Sequence, residues 1–150
     1  MPKAAPVAMT DLKLIALDEE DLAVVSAFLQ DALLPVAEMA YLQEEQRFVL
    51  VANRFMWERP PVDKKGRSER TLTGIAFDGV TAVQVRGFER RQGDRILQVL
   101  AVRSAPGAII FEFSGADAMR LEVGRILCHL EDIGEPWPTP WRPRHPFDEG

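Results

Sequence analysis

Apolar and polar residues alternate along much of the stretch 36–123, and this period of two indicates β-strands. The clearest strand is 47–57 (RFVLVANRFMW), which carries apolar residues on both faces and is therefore predicted to be central in a sheet. Other strands are predicted at 12–17, 36–42, 72–77, 80–87, 95–103, 108–113 and 119–123. The dipeptide Asp78-Gly79 predicts a hairpin turn, and the short connections favour antiparallel pairing.

Two segments have the spacing of amphipathic helices instead. The first follows Asp18, a typical N-cap residue, and is predicted to end at Leu34 because Pro35 comes next. The second runs from Val123 to Gly134, and its apolar side consists of Ile126, Leu127, Leu130 and Ile133. The sequence therefore predicts an α+β fold with about seven to eight mostly antiparallel strands, in a curled or barrel-like sheet packed by two helices. Pleckstrin-homology-like barrels share this element order, an analogy that does not fix a function.

The length of 150 residues fits one domain, 1–150, with a loose N-terminal arm at 1–11, an exposed loop at 58–70 and a tail rich in proline and tryptophan at 135–150. The single cysteine, Cys128, excludes an internal disulfide, and no apolar run near the start resembles a signal peptide, so we expect a cytoplasmic protein. No apolar stretch approaches the ~20 residues of a membrane-spanning helix. The net charge of −5 argues against nucleic acid as a partner, because binding a phosphate backbone requires a basic surface.

No motif of a catalytic or cofactor site stands out. The sequence has no phosphate-binding glycine loop, no paired cysteines and no nucleophile elbow. The only histidines are His129 and His145, and Cys128 beside His129 on a predicted helix makes a poor chelating pair. We therefore expect no metal and no cofactor, and a non-catalytic protein rather than an enzyme.

Arginines within predicted strands are the most unusual feature, namely Arg47, Arg54, Arg86 and Arg103. One hypothesis is that Asn53, Arg54, Arg86 and Arg103 bind an anionic ligand, since arginine is suited to carboxylate and phosphate groups. Arg54 is the best candidate because it interrupts an apolar face beside Asn53. The alternative is that each arginine lies at an exposed position and pairs with a carboxylate such as Glu38 or Glu112, as most surface arginines do.

The tail is the second candidate, with Trp137, Trp141 and Arg142 as interface residues among its prolines. The tail either docks on a partner or packs against its own domain. The leading hypothesis is a protein-interaction or self-associating module, acting as a homodimer or with another protein. The alternative is a protein or enzyme that binds a small anion in a pocket around Arg54.

The segments DLKLIALDEEDLAVVSAFLQDAL and RFVLVANRFMWE, with the closing WRPRH, resemble an uncharacterised alphaproteobacterial family, domain of unknown function 2948. The resemblance covers nearly the whole chain. It implies a free-standing cytoplasmic bacterial domain, and it brings no activity and no catalytic residue.

Overall fold

The computed structural model describes residues 12–58 and 68–139. Their regular structure consists of one α-helix and ten β-strands, with short 3-10 turns between some of them. In chain order the elements are β1 (Lys13–Ala16), α1 (Glu19–Leu29), β2 (Leu33–Pro35), β3 (Met39–Leu42), β4 (Arg47–Phe55), β5 (Ser68–Asp78), β6 (Val80–Arg86), β7 (Ile96–Ala105), β8 (Ala108–Phe113), β9 (Ala118–Val123) and β10 (Cys128–Thr139).

All ten strands belong to one antiparallel sheet, with the order β1-β10-β5-β4-β2-β7-β8-β9-β6 and with β3 beside β4. We call β1, β10, β5, β4 and β3 half A, and β7, β8, β9 and β6 half B. Strand β2 joins the halves, because Leu33 pairs with Asn53 of β4 on one side and with Gln98 of β7 on the other. Within the described residues, β1 and β6 each pair with a single strand, so the sheet is open.

The hydrophobic core lies between the two halves and under α1. Alternate residues of β4, such as Phe48 and Leu50, are buried in it, and Leu22 and Leu29 of the helix join the same cluster. The rings of Phe77 and Phe111 meet edge to face across the halves, with centroids 5.7 Å apart. The opposite faces of both halves therefore form the outer surface, and no helix in the described ranges has the length and apolar character needed to cross a membrane.

The helix α1 begins where the sequence predicts it. The Asp18 carboxylate accepts a hydrogen bond of 2.8 Å from the backbone N–H of Asp21, as an N-cap residue does. The helix ends at Leu29, earlier than predicted, because Asp31 adopts a left-handed backbone and Leu33–Pro35 then pairs as β2.

The predicted fold class is wrong in its helix count, its strand count and its closure. The predicted helix from Val123 to Gly134 is instead mostly β10, which lies between β1 and β5. Its residues alternate as in a strand: Cys128, Leu130 and Asp132 are buried, whereas His129, Glu131 and Ile133 are exposed. Gly134 is no helix cap; it has φ +77° at the register shift between Ile133 and Trp137.

The predicted hairpin at Asp78-Gly79 is also wrong, because β5 and β6 do not pair with each other. Gly79 has φ +74°, and the chain passes through it from half A into half B. The N–H of Val80 then donates to the carbonyl of Gln46 at 2.8 Å. The chain thus changes halves at a glycine corner between β5 and β6, and the sheet of the described residues does not close into a barrel.

Candidate functional site

Arg54 lies inside the protein rather than in an open pocket. Its side chain is 0% exposed on the inner face of β4. The Asp132 carboxylate accepts hydrogen bonds from Nε at 3.0 Å and from Nη2 at 2.8 Å. The Glu58 carboxylate accepts from Nη1 at 3.0 Å and from Nη2 at 2.8 Å, and the carbonyl of Phe55 accepts from Nη1 at 3.5 Å. All five donors of the guanidinium are therefore engaged by the protein itself.

The surroundings of this cluster stabilise its charged form. Burial opposes the charge of Arg54, but its hydrogen bonds to Glu58 and Asp132 outweigh burial and raise the pKa of the guanidinium. Thr73 donates to Asp132 at 2.7 Å, and Cζ of Arg54 lies 5.3 Å from the ring centroid of Phe28. The cluster thus ties β4 to β10 and to the segment after β4, and it leaves no Arg54 donor for an added anion.

Asn53 points away from Arg54, as neighbouring strand residues do. Its side-chain oxygen accepts from Nε of Arg70 at 2.6 Å, and its carbonyl accepts from Nη2 of Arg70 at 3.2 Å. Arg70 is only 6% exposed, and its Cζ lies 5.9 Å from the ring centroid of Phe55. Burial lowers the pKa of Arg70, and the charge of Asp31 opposes this shift. Arg70 therefore occupies the position beside Asn53 at which the sequence predicts an anionic ligand. Nothing in the sequence around Arg70 singled it out.

Arg86 and Arg103 lie elsewhere, on the outer face of half B. The strand register places Arg103, Ile110, Arg120 and Gln84 side by side in one row across β7, β8, β9 and β6. Arg86 pairs with Ala118 in the neighbouring row. We call Arg86, Arg103 and Arg120, with Gln84 and Ile110, the arginine face. The structure thus brings two of the four predicted ligand residues together and adds Arg120, which only the register reveals.

A shallow depression of about 280 Å³ lies on the arginine face, with Ile110 and Met119 among its lining residues. Arg103 pairs with Glu112 at 2.9 Å, and both side chains are about half exposed. Arg120 pairs with Glu122 at 2.5 Å. Arg86 is exposed and has no carboxylate within ion-pair distance in the described part of the chain. Three cations therefore share this surface with two carboxylates.

The other predicted residues fall into two groups. Trp137 lies on β10 opposite Arg70 and is 36% exposed, whereas Trp141 and Arg142 lie outside the described residues.

Among the residues described, no group of three or more His, Cys, Asp or Glu side chains is placed to hold a metal ion. Cys128 is buried in the core, where desolvation, with a smaller effect of the Asp78 charge, raises the pKa of its thiol to about 12.

The structure defines an open, antiparallel β-protein with a single described helix, an internal arginine–carboxylate cluster and an exposed arginine face. The chain belongs to the family described as Protein of unknown function (DUF2948), whose profile matches residues 12–145. The predicted family membership is thus confirmed, and the family description assigns no function. The comparisons with curated proteins and with solved structures found no match.

Proposed function

We propose that this protein is a non-catalytic module that binds an acidic segment of a partner protein on its arginine face. The observation that carries the proposal is the strand register. It aligns Arg103, Ile110 and Arg120 in one row and sets Arg86 beside that row. Because guanidinium groups bind carboxylates with two parallel hydrogen bonds, such a row suits a segment with several acidic side chains.

The electrostatics of the arginine face support an acidic partner. Arg86 has no carboxylate of its own within the described residues, and the pairs Arg103–Glu112 and Arg120–Glu122 are partly exposed. Exposed pairs of this kind contribute about 0–1 kcal/mol each, so a partner carboxylate can replace them at little cost. The protein as a whole carries a net charge of −5, so this face differs in sign from the molecule.

The shape of the surface supports a macromolecular partner rather than a small substrate. The depression of about 280 Å³ is slightly smaller than typical small-molecule pockets, which enclose about 300–1,000 Å³. It lies on a sheet face rather than inside the core. Ile110 lies between the arginines but is only 9% exposed, so the surface offered to a partner is mainly polar.

Fluorescence anisotropy with labelled ten-residue peptides tests this proposal. The acidic peptide contains five Glu and five Thr residues, and its control carries Gln in place of Glu. We expect the acidic peptide to bind more tightly, and the double variant Arg86→Gln/Arg120→Gln to weaken its binding at least ~10-fold, or about 1.4 kcal/mol. Arg47→Gln is the matched control, since it removes an exposed, Asp78-paired arginine of half A. Equal binding of the two peptides, or equal loss in both arginine variants, would contradict the proposal.

Self-association, a cytoplasmic location and an interface at Trp137, Trp141 and Arg142 stay predictions. A second copy of this chain is one form that the protein partner could take. Light scattering at several protein concentrations tests it: a mass of one chain throughout would leave a different protein as the partner.

A further inference from the structure

We infer that the partner segment binds as an added β-strand along the open edge of β6, with every second side chain on the arginine face. This inference rests on the proposed function and specifies its geometry. In the described residues, β6 pairs with β9 alone, so its other side presents unpaired backbone groups. The strand contains no proline, and Arg86 is its only charged residue. Apart from Arg86 and the register shift between Val80 and Ala82, it lacks the devices that commonly protect a sheet edge from pairing.

The hydrogen-bond pattern fixes which backbone groups face this edge. The N–H of Val123 donates to the carbonyl of Gly107 at 2.9 Å, and the N–H of Phe113 donates to the carbonyl of Asp117 at 2.9 Å. Odd-numbered residues of β9 therefore direct their backbone groups to β8, and even-numbered residues direct theirs to β6. In β6 the partners of these even-numbered residues are Ala82, Gln84 and Arg86. The intervening residues Val83 and Val85 thus direct their N–H and C=O groups to the open edge.

The extent of the free edge follows from its neighbours. At the start of β6, the carbonyl of Val80 accepts a hydrogen bond of 2.8 Å from the Tyr41 hydroxyl, and its N–H donates to Gln46. These contacts occupy the edge at Val80, and among the described residues no strand pairs with the outer edge of the stretch 81–86. A segment of about five residues can pair there.

Side-chain alternation explains why the added strand is acidic. Gln84 and Arg86 point to the outer face, next to Arg120. In a strand paired with β6, alternate side chains point to the same outer face, about 4.5–5.5 Å from their cross-strand neighbours. Carboxylates at those positions come within reach of Arg86 and Arg120, and the remaining side chains lie beside Val83 and Val85. An extended segment with acidic residues at every second position satisfies both the edge and the near part of the arginine face, Arg86 and Arg120, whereas Arg103 lies on β7 at the far end of the row.

A proline substitution separates edge pairing from simple charge attraction. Val83→Pro removes an N–H that faces the open edge and does not serve the pairing with β9. Val83→Ala is the matched control, because it shortens the same partly buried side chain and keeps the N–H. The probe is the labelled acidic peptide of ten residues, synthesised with its five Glu and five Thr residues in alternation. We expect Val83→Pro to weaken its binding at least ~10-fold and Val83→Ala to leave it within about two-fold.

Two further measurements keep the test decisive if Val83→Pro fails to fold. The amides of Val83 and Val85 are expected to gain protection from hydrogen exchange when the peptide is added. A peptide whose backbone N–H groups are methylated at the alternate residues that face β6 is expected to lose binding. A peptide methylated at the intervening residues is expected to bind with unchanged affinity.

The outcomes distinguish this inference from the proposed function. Binding that depends on Arg86 and Arg120 but ignores Val83→Pro and both N-methylation frames would overturn strand addition alone. No preference for the acidic peptide would overturn both. A third outcome is that polyphosphate or single-stranded DNA at equal charge concentration displaces the peptide and that the peptide gives no amide protection at Val83. This outcome would point to non-specific anion binding and overturn the inference.

Discussion

The internal arginine cluster gives the sharpest stability prediction, through the substitution Asp132→Asn. The Asp132 side chain is 1% exposed, and it accepts two hydrogen bonds from Arg54 and one from Thr73. Asparagine keeps the shape but turns one acceptor into a donor, which then faces other donors. Among the described residues it also leaves Glu58 as the one carboxylate paired with the buried guanidinium, and Glu58 is 34% exposed.

The magnitude follows from the burial of the pair. Removing one partner of a buried ion pair costs about 3–5 kcal/mol, because the remaining charge stays desolvated. For a chain of this length, each kcal/mol lowers the melting temperature by about 2–4 °C, so the expected decrease is about 6–20 °C. Glu58→Gln, at the more exposed end of the same cluster, is expected to cost about 1 kcal/mol. The double variant Arg54→Met/Asp132→Leu replaces both charges with apolar groups and is expected to be at least about 2 kcal/mol more stable than Asp132→Asn.

Urea unfolding followed by circular dichroism measures these differences. The three variants are compared with the unsubstituted protein at the same pH and salt concentration. If Asp132→Asn proves no more harmful than Glu58→Gln, the buried pair does not stabilise the fold as argued. If the double variant is as unstable as Asp132→Asn, the cost arises from packing rather than from an uncompensated charge.

Three further predictions use the same unfolding assay. A Cβ at Gly87 would overlap the Asp117 carboxylate and lie 3.2 Å from the Cα of Asp117, whereas Gly107 has open space and a similar positive φ. Gly107→Ala should therefore cost about 1–2 kcal/mol of unfolding free energy, and Gly87→Ala at least about 1 kcal/mol more. Equal costs would refute the clash. Burial raises the pKa of the Cys128 thiol to about 12, so between about pH 8.5 and 12 the native state keeps a proton that the unfolded chain releases. The free energy of unfolding should therefore fall as pH rises through this range, and Cys128→Ala should reduce that slope. Asp18→Ala should cost about 1 kcal/mol and Asp18→Asn much less, since asparagine keeps the capping oxygen; equal losses would contradict the cap.

The strands of half B could be predicted from sequence because each is a short apolar or alternating run bounded by turn residues such as Pro106-Gly107 and Gly115. Strand β10 could not. Ile126, Leu127, Leu130 and Ile133 have helical spacing, and a strand interpretation places the charge of Asp132 in the core. That position is favourable only because Arg54, 78 residues earlier in the chain, forms its ion pair there. A contact this distant leaves no trace in local periodicity.

The candidate site was predictable to a similar degree. The sequence indicates that Arg54 is unusual because it interrupts an apolar face, and the structure shows a fully buried side chain. The sequence does not identify its partners, Glu58 and Asp132. Arg86 and Arg103 were singled out as strand arginines. Their meeting with Arg120 depends on the register across four strands, which no local pattern encodes.

The place of β10 in the sheet has a consequence for how the chain folds during synthesis. Strand β10 leaves the ribosome after the nine other strands, yet it lies between β1 and β5 and carries the carboxylate that neutralises Arg54. Until it emerges, β1 lacks the one strand that pairs with it in the described part of the chain, and the guanidinium lacks its most buried counter-ion. Half A therefore completes its folding only after β10 has emerged, and a nascent chain stalled before β10 exposes the unpaired edges of β1 and β5.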